Sequence, residues 1–284
     1  MPGRMVAVTL LMAGWIIGFS WWSAEAAPKA VLWELWSALD PIADVRIDHV
    51  AWGSFLERYL VTGSDGVNRV AYGKVTPEDM AALDGYIEEL SKVAISDYAR
   101  PEQMAYWLNL YNALTVQVIL DDYPVDSIRD IDISPGLFSD GPWGKKLITI
   151  EGEKVSLDDV EHQILRPIWQ DPRIHYGVNC ASIGCPNLQP MPFEASMLDR
   201  QLDDAAIEFV NHPRAVQLRD GRVIVSSIYD WFQEDFGNSD QGVIAHLKAY
   251  AAPDLAMKLE GISDIYDHEY DWRLNDVTVP AGGS

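Results

Sequence analysis

Apolar residues recurring every three or four positions mark most of this chain as helical, and a minority of alternating runs mark strands. Val31, Leu32, Leu35, Trp36 and Leu39 recur at helical spacing and predict a first helix closed by Pro41. Val50 to Leu60 reads as a second helix or packing segment, ended by the turn-forming Thr62-Gly-Ser-Asp-Gly66, after which Val70-Ala-Tyr72 suits a short strand. Thr76-Pro-Glu-Asp79 opens the next helix, with Thr76 as cap and Pro77 at the first position, and Met80, Leu83, Ile87 and Leu90 follow the 3.6-residue period. The segment from Pro101 to about Asp121 differs in kind, because no charged residue falls between Met104 and Leu120. A helix without a polar face belongs inside the core.

Beyond Asp121-Asp-Tyr-Pro124 the pattern is that of a loop until Lys145, and Lys146 to Ile150 with Glu151-Gly152 predicts a hairpin strand and turn. Ser156 caps a helix with Asp159 three residues on, and Glu161 falls within the face formed by Leu157, Val160, Ile164 and Leu165, with His162 on its flank. Ile174 to Cys180 reads as a strand, which would place Ile174, Tyr176, Val178 and Cys180 on one face and His175, Gly177 and Asn179 on the other. Phe193 to Val210 predicts an amphipathic helix. Val216 to Val225, with Asp220-Gly221 at its turn, predicts the clearest hairpin of the chain. Helices near 228–236 and 242–251 follow, then an aromatic last strand over Tyr266 to Leu274. Helices and strands mix without regular alternation, so the expected fold class is α+β: a single globular domain, a central buried helix, a small mostly antiparallel sheet and surrounding helices.

The first residues set the expected compartment. Arg4, the apolar run from Met5 to Trp22 and Ala24-Glu25-Ala26 follow the plan of a secretory signal peptide over 1–26, leaving one domain over 27–284. An exported protein, periplasmic or extracellular, without stable membrane insertion after cleavage, is therefore expected. The chain carries 43 acidic against 21 basic residues, a formal charge of -22, which argues against nucleic acid as a partner because phosphate would be repelled. A small molecule or peptide is the expected ligand, and no cofactor is expected.

Reactive chemistry is densest in Arg173-Ile-His-Tyr-Gly-Val-Asn-Cys-Ala-Ser-Ile-Gly-Cys-Pro186, which holds both cysteines of the chain. Three readings compete there. Cys180 and Cys185 can close a disulfide, as an oxidising compartment favours. Alternatively, Cys180 is a catalytic nucleophile with His162 or His175 as base and Glu161 or an asparagine orienting that base. Finally, both cysteines and both histidines are permissible zinc ligands, but no second tight pair exists and no metal is expected. Redox catalysis is disfavoured by the four residues between the cysteines. Asn109 and Asn112, one turn apart on the uncharged helix, need specific partners because an unpaired buried amide costs about 1–3 kcal/mol. With Asn179 and Ser182 they are the candidate ligand-binding residues, although tying down a loop backbone would satisfy them equally.

Taken together, Tyr106-Trp-Leu-Asn-Leu-Tyr-Asn-Ala-Leu-Thr115, Tyr123-Pro124 with Ser127-Ile-Arg129, Val160-Glu-His162 with Ile164-Leu-Arg166, Arg173 to Ser182 with Cys185-Pro186, and Tyr270-Asp-Trp272 with Leu274-Asn275 resemble the domain of unknown function 547 family over roughly residues 48–275. The resemblance implies that Asn109, Asn112, Glu161, His162, His175 and Cys180 occupy signature positions. It identifies kin rather than chemistry. Two classes of function therefore stand as expectations: a cysteine-dependent hydrolase or acyl transferase acting on peptide, amide or envelope material, and a non-catalytic binding or scaffold domain stapled by Cys180–Cys185.

Overall fold

A computed structural model describes residues 28–136 and 141–281. The expected signal peptide lies outside the described residues. Helix α1 (Val50–Tyr59) leads into the antiparallel pair β1 (Leu60–Thr62) and β2 (Asn68–Val70), and α2 (Pro77–Ser91) starts at Thr76, whose hydroxyl accepts the Asp79 amide. Helix α3 (Arg100–Asp122) contains the uncharged stretch from Met104 to Leu120 and is buried almost all round from Glu102 to Ile119, as the lack of a polar face there requires. A hairpin, β3 (Ile148–Ile150) and β4 (Glu153–Val155), precedes a π-helical stretch over Asp159–Leu165 that runs into α4 (Arg166–Trp169). Helices α5 (Ile174–Gly177) and α6 (Leu198–Val210) follow. The chain then forms β5 (Val216–Arg219), β6 (Arg222–Ser226), α7 (Ile228–Trp231), a 3₁₀ turn over Gln233–Phe236, α8 (Asp240–Tyr250), α9 (Pro253–Lys258) and β7 (Asp267–Glu269).

The protein is α+β, as the mixed pattern predicts, but among the described residues its strands form three small sheets rather than one. Two are hairpins. In the third, β5 and β6 pair antiparallel across Asp220 and Gly221, both at positive φ, while β6 and β7 pair parallel.

Three expected elements take another form. The segment 31–39 has only a 3₁₀ turn, Glu34–Ser37, and the Val31 and Trp33 amides donate to the carbonyls of His162 and Gln163, which ties the chain to the π-helical stretch. Only Trp36 of its apolar residues is fully buried. Helix α6 begins at Leu198 instead of Phe193, since both backbone groups of Phe193 are engaged by the Asn109 side chain. The expected strand Ile174–Cys180 is helical over Ile174–Gly177: Pro172 and the Asp171 carboxylate, which accepts the Arg173 amide, start a tight turn. Period-two alternation therefore does not govern where His175 and Cys180 point.

Two buried apolar clusters make up the core. One surrounds α3 and takes in α1, α2 and the apolar side of the π-helical stretch. The other joins α6, β5, β6, α7 and α8. Ile174 and Val178 pack into the first and Tyr176 into the second, so the cysteine-bearing segment lies along the seam between them.

Candidate active site

The cysteine turn is held by amides. Asn112 donates from Nδ2 to the Gly177 carbonyl at 2.9 Å and accepts the Asn179 amide at 2.8 Å through Oδ1. Asn179 in turn donates to the Pro186 carbonyl at 2.7 Å and accepts the Ala181 amide at 2.9 Å. Asn275, bonded to Tyr72, adds a 3.3 Å contact to Asn179 and donates its own amide to the Ala181 carbonyl. These bonds hold Ala181 in the left-handed region at φ 56°, a conformation that costs a non-glycine residue about 1 kcal/mol or more. That reversal folds the chain back so that Cys185 meets Cys180.

Residues 270–274 close the other side. The Ile183 and Gly184 amides donate to the carbonyls of Arg273 and Asp271, and a Cβ on Gly184 would stand 2.7 Å from the Asp271 nitrogen. Glycine is required for that approach. The approach brings the Tyr270 hydroxyl to 3.0 Å from Cys180 Sγ and 2.8 Å from Ser182 Oγ. Cys180 Sγ also lies 2.8 Å from Cys185 Sγ and 3.4 Å from Ser182 Oγ, and the Cys180 amide donates to Cys185 Sγ at 3.0 Å. Both thiols are free in the structure, Cys180 half-buried and Cys185 buried. The hydrogen bond from Cys185, aided by those from Ser182 and Tyr270, holds the Cys180 thiol below its ordinary range against the opposing effects of burial and of Glu161. Burial pushes Cys185 well above it.

The histidines stand apart from the sulfur. His175 bonds through Nε2 to Asp235 Oδ2 at 2.7 Å, lies 3.7 Å from Glu161 Oε1 through Nδ1, and stacks on Phe232 with ring centroids 4.3 Å apart. Arg166 donates to the same Asp235 oxygen at 2.6 Å, to Glu234 at 2.7 Å, and to His162 Nδ1 at 3.1 Å. Burial opposes ionisation of Asp235, yet the bonds from His175 and Arg166 overcome it and hold its carboxyl down at about 2. Burial lowers the pKa of His162. Among the described residues no histidine nitrogen is within hydrogen-bond reach of Cys180, whose side-chain partners are Cys185, Ser182 and Tyr270.

Glu161 connects the two groups. Its Oε2 accepts the Tyr111 hydroxyl at 3.1 Å, and Tyr111 and Glu161 both lie within electrostatic range of Cys180. Glu161 and His162 both lie in the π-helical stretch and both are buried. Asp158, at its start, has its carboxyl raised to about 6 by burial and by the charges of Glu161 and Asp159. It lies 3.8 Å from His162.

Of the residues singled out from sequence, Cys180, Cys185, Asn179, Ser182 and Asn112 therefore meet at one turn, with Glu161 beside it. Asn112 and Asn179 spend their amides on backbone groups there. Asn109 is bonded to Phe193 in both directions, away from the thiols. His162 and His175 belong to the carboxylate and arginine cluster. Among the described residues no three His, Cys, Asp or Glu side chains converge as a set of metal ligands. Sequence reading missed Tyr111, Asp158, Asp235 and Tyr270 as site residues. Tyr111 and Tyr270 stood inside the quoted motifs, whereas no spacing pointed to Asp235, which comes from a separate segment.

Among the described residues no helix is long and apolar enough to cross a membrane. No curated protein and no solved structure matches the chain. Residues 95–210, from just before α3 through the cysteine turn to the end of α6, match the model of the family described as Protein of unknown function, DUF547.

Proposed function

We propose that the protein is an exported, periplasmic or extracellular, cysteine-dependent hydrolase or acyl transferase on peptide, amide or envelope material, with Cys180 as nucleophile. The observation that carries this reading is the set of three donors around one half-buried sulfur: Cys185, Ser182 and the Tyr270 hydroxyl all reach Cys180 Sγ. Hydrogen bonds to a thiolate stabilise it relative to the thiol, which favours the nucleophilic form without a histidine in contact with it. Attack on an acyl carbonyl gives a thioester and expels an amine or alcohol that must be protonated. Asp158 retains a proton up to about pH 6, which suits it to general-acid work near neutrality. Glu161, His162, His175 and Asp235 then act as the polar surround that sets the field at the sulfur.

The test is acylation of the pre-reduced protein by p-nitrophenyl acetate, read by intact mass. One acetyl group on Cys180 is expected in the wild type and none in Cys180→Ser. Two titratable thiols with no acetyl adduct would overturn the reading. A second reading, a non-catalytic domain stapled by Cys180–Cys185, draws on the 2.8 Å separation of the sulfurs. It requires that the pair be oxidised in the isolated protein and resist dithiothreitol without unfolding.

A further inference from the structure

We infer that Cys180 and Cys185 form a working dithiol–disulfide couple, with Cys180 attacking and Cys185 resolving, that reduces disulfide bonds of other molecules. The four intervening residues argue against such a couple on spacing alone, because the familiar redox pairs are separated by two. The turn removes that objection. The left-handed Ala181 and the Cys185 amide bonded to the Ser182 carbonyl reverse the chain within six residues and bring the sulfurs together.

The two thiols are unequal in the way the reaction needs. Cys180 is half-buried, whereas Cys185 is only 4% exposed. The residue that keeps some exposure is the one a substrate can meet, and the buried one has its sulfur 2.8 Å from the first. With the negative charge favoured on Cys180 and disfavoured on Cys185, the first thiol is the one that attacks.

A permanent staple explains the pair less well. The turn is already closed by the bond from Asn179 to the Pro186 carbonyl and by Arg214, whose Nη1 donates to the carbonyls of Ile183 and Cys185 at 2.8 and 2.7 Å. A covalent ring over so short a span removes little further chain entropy. The bond would act mainly on the availability of Cys180.

In the reaction the Cys180 thiolate attacks one sulfur of a disulfide RSSR, forming Cys180–S–SR and expelling RS⁻. The Cys185 thiol gives up its proton and attacks the Cys180 sulfur, forming the Cys180–Cys185 bond and expelling the second RS⁻. The substrate gains two electrons, the protein loses two, and the two thiol protons leave with the two RS⁻ groups. Asp158, whose amide donates to the Trp143 carbonyl, and Asp230 and Asp271, which adjoin Trp231 and Tyr270 in sequence, have partly exposed side chains beside the aromatic cluster of Trp143, Trp231, Tyr270 and Trp272, and the whole chain carries a charge of -22. A cationic disulfide is the class this surface favours.

The experiment treats pre-reduced protein with cystamine and follows thiol titre and intact mass. The wild type is expected to lose two thiols and two mass units while carrying no adduct. Cys185→Ser is expected to accumulate one cysteamine on Cys180, and glutathione disulfide, being anionic, to react at least ten-fold more slowly than cystamine. Cys185→Ala, which keeps the buried position apolar, serves if the serine variant does not fold, and the wild-type measurement needs neither. A stable cysteamine adduct on the wild type, or no loss of thiols, overturns the couple. A native Cys180–Cys185 bond that dithiothreitol cannot open overturns it equally. Acetylation of Cys180 is read separately, so loss of the acyl-transfer reading and loss of this one are told apart.

Discussion

Asn112→Ala is the most informative single perturbation of the site. It removes two hydrogen bonds and strands two backbone groups, the Gly177 carbonyl at 2.9 Å and the Asn179 amide at 2.8 Å, at residues that are themselves buried. Each stranded buried group costs about 1–3 kcal/mol, so a stability loss of roughly 2–6 kcal/mol is expected from urea denaturation. Stability alone would not locate the effect. Asn109→Ala is the matched control, because it also strands two backbone groups, both on Phe193. The two variants are expected to lose similar stability and to part in thiol chemistry. With the turn released, the donors around Cys180 no longer converge, and its pKa should rise toward the ordinary value of about 8.5 in Asn112→Ala only. The rate of iodoacetamide alkylation against pH reads that value directly. A midpoint that moves no further in Asn112→Ala than in Asn109→Ala would refute the claim that the central helix sets the geometry of the cysteine turn.

Tyr270→Phe removes one donor to the sulfur, and a hydrogen bond to a charged group contributes about 1.5–3 kcal/mol, so the alkylation midpoint of Cys180 should rise by about 1–2 pH units with little change in the urea midpoint. Asp235→Ala leaves Arg166 and His175 buried without their shared carboxylate, and a loss of about 3–5 kcal/mol is expected by thermal or urea denaturation. His49 is held down at about 4 by burial, bonded through Nδ1 to the Tyr86 hydroxyl with Nε2 unpartnered. Its neutral form thus stabilises the fold fully above the unfolded value of 6.5, and about 3 kcal/mol should be lost as pH falls from 6.5 through 4, because the unfolded chain takes up the proton first. Urea midpoints across that range check the sign, and His49→Gln should flatten the dependence. A profile for His49→Gln as steep as that of the wild type would assign the acid sensitivity elsewhere.

Local chemistry was legible where each residue answered to its immediate neighbours. The cap at Thr76, the Asp220-Gly221 turn and the burial of the largely uncharged α3 all follow from residues within a few positions. The need for partners at Asn109 and Asn112 was also legible, but which backbone each would hold was not. Their partners lie 84 and 65–67 positions away. The strand expected over Ile174–Cys180 failed for the converse reason: alternation of polar and apolar residues cannot distinguish a strand from a turn of helix whose two sides face two different apolar clusters.

Composition and periodicity by themselves determined that this is an α+β protein built on a largely uncharged buried helix, with both its cysteines five positions apart in one segment. Only the tertiary structure decided that the turn's sulfurs touch each other and Tyr270 rather than a histidine, and that both histidines are engaged by Glu161, Asp235 and Arg166 instead. The physical reason is that a thiol takes its character from whatever the fold packs against it. Tyr270 arrives from 90 residues downstream through backbone bonds that no local pattern announces.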